Sequence, residues 1–229
     1  VSDLDQASPK SGLRKRYEAF FAPFGKLLAN TRLSPNMISL LSLGTSIISC
    51  LAYSLGPIIG MTVGLLVGTL LLGLSSLLDM LDGSLARAKG VTGHFGALLD
   101  RTLDRISEFF FLLGIMLGEY VHFGLVFFGF EGMILASYVR AAAEERGSLK
   151  MTSTIGIFER KEKLTLLAMG CVLEAFFYQG MTWMPPSWWP FSFGILPVVI
   201  IVIGILSNLS AVQRLRYART FYSSVEKSP

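Results

Sequence analysis

Apolar residues in this chain come in long unbroken blocks, separated by short polar or basic stretches, and not in the two-residue alternation of a half-buried strand. Six blocks stand out: about 34–55, 58–86, 95–118, 121–146, 155–179 and 191–218. Each is long enough to supply the roughly 20 helical residues that cross a hydrocarbon core of about 30 Å. The pattern predicts an all-α polytopic membrane protein with six transmembrane helices. Several blocks run on into polar sequence, so their ends project into water. Ser34-Pro35 reads as the N-cap and first helical position of the first span.

Upstream, residues 9–31 mix Arg14, Lys15, Arg16 and Lys26 with Phe20, Phe21, Phe24 and Leu27, the make-up of an amphipathic helix lying along a membrane surface. The expected organisation is a disordered tail at 1–9 and an interfacial helix at 10–32. A six-helix membrane domain follows at 33–221, then a C-terminal tail at 222–229. Residues 1–20 are polar and basic, so no signal peptide is expected there.

The basic residues set the expected orientation. No Lys or Arg occurs between Arg32 and Arg87, between Arg105 and Arg140, or between Lys163 and Arg214. Each gap holds the end of one block, a turn and the start of the next, with turns at Ser54–Pro57, Gly118–His122 and Gly180–Pro190. Every basic residue then falls on the side of both termini, which the positive-inside rule makes cytoplasmic. The Trp-rich turn at 184–190 would sit at the opposite interface. Composition agrees: 52% of residues are hydrophobic and 16% charged, against about 25% charged in soluble domains. The net charge of +4 suits anionic lipid or an anionic substrate. Nucleic acid is not expected as a partner, because the basic residues flank membrane spans. Cys50 and Cys171 show no metal-ligand spacing and read as buried inert thiols. His94 and His122 lie near opposite faces and read as surface residues.

Four carboxylates break the apolar pattern. Asp79 and Asp82, three apart, share one helix face, and so do Asp100 and Asp104, four apart. The pairs flank a basic turn at 87–93, so antiparallel neighbours would bring all four together near the cytoplasmic end. Left alone these charges would repel; with a hard divalent cation they form an oxygen-ligand site for Mg²⁺, Mn²⁺ or Ca²⁺. Salt bridges to Arg87, Arg101 and Arg105 are the structural alternative, and a divalent-cation transport path is a functional alternative of another class. Conduction needs polar groups through the full depth, and Glu119, Glu131 and Glu174 are too scattered to line a path. Gly83 and Gly96 each cost about 1 kcal/mol in a helix relative to Ala. They suit close packing or approach of a ligand to backbone.

The full pattern is Asp79-x-x-Asp82-Gly83-x-x-Ala86-Arg87, eight residues, then Gly96-x-x-x-Asp100-x-x-x-Asp104. It resembles the signature of the CDP-alcohol phosphotransferase family at every position, and the six-span plan with a leading surface helix is similar too. The resemblance implies transfer from a CDP-linked donor to a second alcohol, with release of CMP. It implies that Asp79, Asp82 and Asp100 hold divalent metal, Mg²⁺ or Mn²⁺, on the CDP diphosphate. Asp104 would be the general base and would also touch a second ion, for two in all. Gly83, Ala86 and Gly96 would let the nucleotide approach the backbone, and Arg87 would contact it. The family is usually homodimeric, so a homodimer is expected.

"SYVRAAAEERG" (137–147) and "GIFERKEKL" (156–164) place Arg140 and Arg160 near cytoplasmic span ends, with Arg214 at the same depth in the last span. Three arginines suit a phosphate on the acceptor through bidentate hydrogen bonds, although lipid headgroups could occupy them instead. The second segment resembles the branch that makes phosphatidylinositol phosphate or archaetidylinositol phosphate from inositol 1-phosphate. In that branch the positions matching Arg140, Arg160 and Arg214 form the acceptor pocket. The resemblance implies a CDP-lipid donor, with diacylglycerol or archaeol chains, and a phosphorylated polyol acceptor. Glycerol 3-phosphate as acceptor and soluble CDP-inositol as donor are the alternatives. The expected location is the cell membrane, multi-pass, with the active site cytoplasmic.

Overall fold

The computed structural model describes residues 20–91, 93–145, 159–177 and 194–226. The expected tail at 1–9, the first half of the surface helix and the Trp-rich turn lie outside these residues. All regular structure among the described residues is helical: α1 (Phe20–Ala29), α2 (Pro35–Ser54), α3 (Gly56–Ile59), α4 (Met61–Lys89), α5 (His94–Leu117), α6 (Phe123–Glu145), α7 (Arg160–Phe177) and α8 (Ile195–Glu226). Four of them, α2, α4, α6 and α8, are long and apolar enough to cross a membrane. The other two expected spans form helices as well. Helix α5, however, carries the charged stretch Asp100–Glu108 in its middle turns and α7 opens on Arg160–Lys163, which dilutes their apolarity.

The chain divides into two compact units, Val1–Tyr120 and Val121–Pro229. In the first, α2 is the central helix, with α4 and α5 each packed along it. Its start matches expectation: Ser34 caps the helix by accepting from the Met37 N–H, and Pro35 occupies the first turn. A polar seam runs down the antiparallel α2–α4 contact. Tyr53 and Thr69 share a hydroxyl contact of 3.0 Å, Ser49 donates to the Gly68 carbonyl, and Ser42 and Ser75 each donate to the other's carbonyl at 2.9 Å. At the far end of the seam Ser39 donates to Asp82.

Three glycines allow close approach of a neighbour. A Cβ on Gly114 of α5 would lie 2.7 Å from the Cα and carbonyl oxygen of Cys50. A Cβ on Gly56 or Gly118 would collide with the ring of Tyr120, whose hydroxyl donates to the Met61 carbonyl.

The turn expected at Ser54–Pro57 is displaced. Pro57 sits in the first turn of α3, where a missing N–H costs nothing. The chain reverses instead at Gly60, whose φ of 104° disfavours any side chain. Gly90, with φ 65°, ends α4: its N–H reaches the Arg87 carbonyl and that of Val91 reaches Ala86, a left-handed C-cap. Lys89 then donates to the carbonyls of Thr31 and Leu33, tying the end of α4 to the segment entering α2. On α1, Phe21 and Gly25 face α4, where Ser84 donates to the Phe21 carbonyl. Phe20, Phe24 and Leu27 form its exposed face.

In the second unit α8 is central, parallel to α6 and antiparallel to α7. Gly129 and Gly132 on α6 admit Ile200, Gly204 and Ser207 of α8, and Gly170 on α7 admits Val199. Asn208 donates to Glu131, and the buried Glu174 accepts from the Leu196 N–H, satisfying a donor of the first turn of α8. Both acids thus have structural partners. Helix α8 runs on to Glu226, through the position where a tail was expected to begin, and Tyr222 donates to the Ala143 carbonyl. Both cysteines are buried.

Gly114→Ala is expected to destabilise the protein by about 1–3 kcal/mol, the usual cost of overpacking. Gly73→Ala, whose Cβ would meet open space, is expected to leave stability unchanged or slightly raised. Thermal unfolding of both variants in detergent checks the pair.

Candidate functional site

The second half of α4 carries Asp79, Asp82, Gly83, Ala86 and Arg87, and the first half of α5 carries Gly96, Asp100 and Asp104. The sequence pattern predicts that α4 and α5 bring the acids together by packing on each other. The structure corrects this: both helices pack along α2 instead, and the carboxylates meet by reaching across from separate helices. One oxygen from each of Asp79, Asp82 and Asp100 lies within 4.8 Å of the other two. Asp104, one turn further along α5 and half-buried, stands outside this trio.

Asp82 is the innermost of the three acids, 5% exposed, and accepts a hydrogen bond of 2.5 Å from Ser39 of α2. Asp79 and Asp100 are half-buried. Three like charges this close, one of them buried, are stable together when a cation or protons compensate them. The donor set is oxygen throughout, which suits a hard divalent ion and not a soft one. The residues therefore fit a divalent metal.

Around the trio the two glycines leave room. A Cβ on Gly83 would meet only the Arg87 guanidinium at 3.6 Å, and one on Gly96 only the Asn36 amide oxygen at 3.9 Å. Arg87 is exposed and lies beside Gly83. Ala86 is half-buried, and its carbonyl takes part in the α4 C-cap. Arg105 pairs with the buried Glu108 at 2.5 Å.

Sequence reasoning missed Ser39 and Asn36. The signal was there: Asn36, Ser39, Ser42, Ser46, Ser49 and Tyr53 recur at spacings of three and four, marking one polar face along an otherwise apolar helix.

In the second unit, Arg140 pairs with Glu144 at 3.0 Å, and the buried Arg214 donates to the Ala136 carbonyl at 2.5 Å, one turn before Arg140 on α6. Arg160 opens α7 and is half-buried.

The family model described as CDP-alcohol phosphatidyltransferase matches residues 32–206. The chain belongs to this family. Archaetidylinositol phosphate synthase of Pyrococcus horikoshii is 32% identical over 165 residues, covering 72% of this chain and 83% of the relative. Phosphatidylinositol phosphate synthase of Mycobacteroides abscessus is 27% identical and covers 96% of this chain and 93% of its own. Two crystal structures of the Mycobacterium tuberculosis phosphatidylinositol phosphate synthase are similar in fold. The one with CDP-DAG bound has a TM-score of 0.68 at 27% identity, covering 86% of this chain and 92% of that one. The complex with manganese and citrate has a TM-score of 0.69 at 26% identity, covering 87% and 89%. Membership makes the chain a multi-pass membrane transferase, and the carboxylate trio has the donor set to hold a divalent metal. The transporter alternative falls away.

Removing one ligand charge without changing side-chain shape tests the trio. Asp100→Asn is expected to weaken Mn²⁺ binding at least tenfold, measured by the loss of free-Mn²⁺ electron paramagnetic resonance signal. Unchanged affinity would remove Asp100 from the ligand set.

Proposed function

We propose that this enzyme transfers the phosphatidyl-type group of a CDP-linked lipid to a hydroxyl of inositol phosphate, releasing CMP. The observation that carries this reading is the convergence of Asp79, Asp82 and Asp100 from two helices within a complete family signature. The names of the relatives, synthases of archaetidylinositol phosphate and phosphatidylinositol phosphate, support the acceptor. The donor chains are diacylglycerol or archaeol.

The acceptor hydroxyl attacks the lipid-bearing phosphorus, a new P–O bond forms, and the bond from that phosphorus to the bridging oxygen breaks as CMP departs. Asp79, Asp82 and Asp100 would hold divalent metal, Mg²⁺ or Mn²⁺ and two ions in all with Asp104 at the second, which would supply positive charge to offset the diphosphate and the departing CMP. Asp104 accepts the proton of the attacking hydroxyl. A carboxylate is a weak base, so it must sit close to that hydroxyl and be partly desolvated; its half-buried position suits this. Gly83, Ala86 and Gly96 give the nucleotide access to backbone, and Arg87 contacts it. Arg140, Arg160 and Arg214 hold the acceptor phosphate by charge-assisted hydrogen bonds.

The membrane plan that goes with this reading has six spans, α2 and α4 to α8. A surface helix at 10–32 precedes the membrane domain at 33–221. Within each unit the basic residues gather at one end, which supports a cytoplasmic site and cytoplasmic termini. The functional form is a homodimer, as in the family generally.

Purified protein with Mg²⁺ and a CDP-lipid is expected to release CMP with inositol 1-phosphate, and far less with glycerol 3-phosphate, serine or free inositol. EDTA abolishes the activity, and Mg²⁺ or Mn²⁺ restores it. CMP release that favours another acceptor would overturn the acceptor assignment.

Two substitutions separate the roles. Asp104→Asn is expected to cut turnover about 10²–10⁴-fold, the usual contribution of a general base, while donor binding persists. Arg160→Ala is expected to raise the acceptor KM about tenfold or more, in line with a lost charged hydrogen bond, with the donor KM unchanged. Steady-state kinetics with each substrate varied in turn reads both.

A further inference from the structure

Helix α2 contributes no residue to the family signature, yet it packs against both helices that bear the metal ligands. Its hydroxyl at Ser39 is 8% exposed and meets the most buried of the three acids. Two acceptors lie within reach of Ser39 Oγ: Asp82 Oδ2 at 2.5 Å and the Pro35 carbonyl at 3.2 Å. A hydroxyl has one proton to donate, and the shorter contact to a charged acceptor takes it. Asp82 keeps its second oxygen and remaining lone pairs for another partner.

We propose that Ser39 is a positioning residue of the metal centre, which fixes the Asp82 carboxylate by hydrogen bonding so that it meets Asp79 and Asp100 at one ion. The inference rests on the metal-dependent reading above and extends it to a residue outside the signature. A ligand carboxylate that is free to rotate loses affinity for its ion, and groups that orient ligands typically contribute 10–100-fold. Ser39 is well placed for this because its own backbone is held by the α2–α4 seam. Ser42, one turn on, is locked to Ser75 through both hydroxyls and both carbonyls. Together with the Ser49–Gly68 and Tyr53–Thr69 bonds this pair holds the helix register redundantly, so that no one of them decides it, and the Ser39 hydroxyl sets the carboxylate's orientation.

Ser42 also supplies the control. It is buried in the same seam, 5% exposed, but bonds to Ser75 and not to a ligand. Mn²⁺ binding to the purified full chain, followed by electron paramagnetic resonance without substrate, is expected to weaken about 10–100-fold in Ser39→Ala. Ser39→Thr, which keeps the hydroxyl, is expected to restore most of that affinity. Ser42→Ala is expected to lower the unfolding temperature while leaving Mn²⁺ affinity within about twofold of wild type.

Ser39→Ala with wild-type affinity, or Ser42→Ala with an equal loss, would overturn the inference while leaving the metal-dependent reading intact. Wild-type protein that bound no Mn²⁺ would overturn both. Wild-type protein that bound Mn²⁺ but transferred nothing to inositol 1-phosphate would overturn the proposed acceptor. The affinity difference between Ser39→Ala and wild type would still decide the role of Ser39. In the transfer assay, raising Mn²⁺ is expected to recover the activity of Ser39→Ala, which a folding defect would not allow.

Discussion

Hydroxyl groups of α2 and α4 bond across their shared seam from Tyr53 and Thr69 at one end to Ser39 and Asp82 at the other, and the placement of the site follows from that contact. In hydrocarbon, apolar side chains gain little by meeting one another instead of lipid, so small residues and interhelical hydrogen bonds set which helices associate and at what register. Each such bond averages only about 0.6 kcal/mol in a membrane protein. Their weight here lies in register: sliding α4 by one turn would unpair every hydroxyl and move Asp82 away from Ser39. Helix α5 is held to the same α2 scaffold by backbone contact at Gly114 and Cys50. Two ligand-bearing helices are thus positioned by a third that carries no ligand.

This arrangement explains how three carboxylates share a site without the helices behind them touching closely. Were α4 and α5 packed against each other, their side chains would fill the volume that a diphosphate has to enter. Fixed separately on α2, they present Asp79 and Asp82 from one side and Asp100 from the other, with Gly83 and Gly96 leaving open space beside them. Repulsion among the acids is what makes a divalent ion welcome, and the buried Ser39 bond keeps the deepest of them from turning away.

Much of this was legible in the residues. The apolar blocks located α2, α4, α5 and α6 to within about three positions at each end, because span length and hydrophobicity are tightly constrained by a bilayer, whereas α8 runs on past its block to Glu226. The aspartate spacing led to the expectation of four converging acids, of which Asp79, Asp82 and Asp100 meet within 4.8 Å and Asp104 stands outside. Helix partnership was not legible: a short α4–α5 connection suggested that they pair, whereas the small residues of α2 decide the contact. The corner at Gly60 was misplaced because Pro57, a turn residue on composition, is equally at home in the first turn of a helix. Glu131 and Glu174 looked like stray charges, and their partners, an Asn208 amide and a Leu196 backbone N–H, lie on a helix far along the chain that no local pattern links to them. Ser39 was hidden among serines whose regular spacing mattered more than their identity.

The division of the chain at Tyr120 bears on biosynthesis. The three acids and Ser39, which donates to one of them, all belong to Val1–Tyr120, a contiguous stretch with its own packed helices. Translation at about 5–20 residues per second takes roughly 5–20 s to add residues 121–229 after that stretch. The metal-binding half can therefore close in the bilayer during synthesis, before the helices bearing the three candidate acceptor arginines are all inserted.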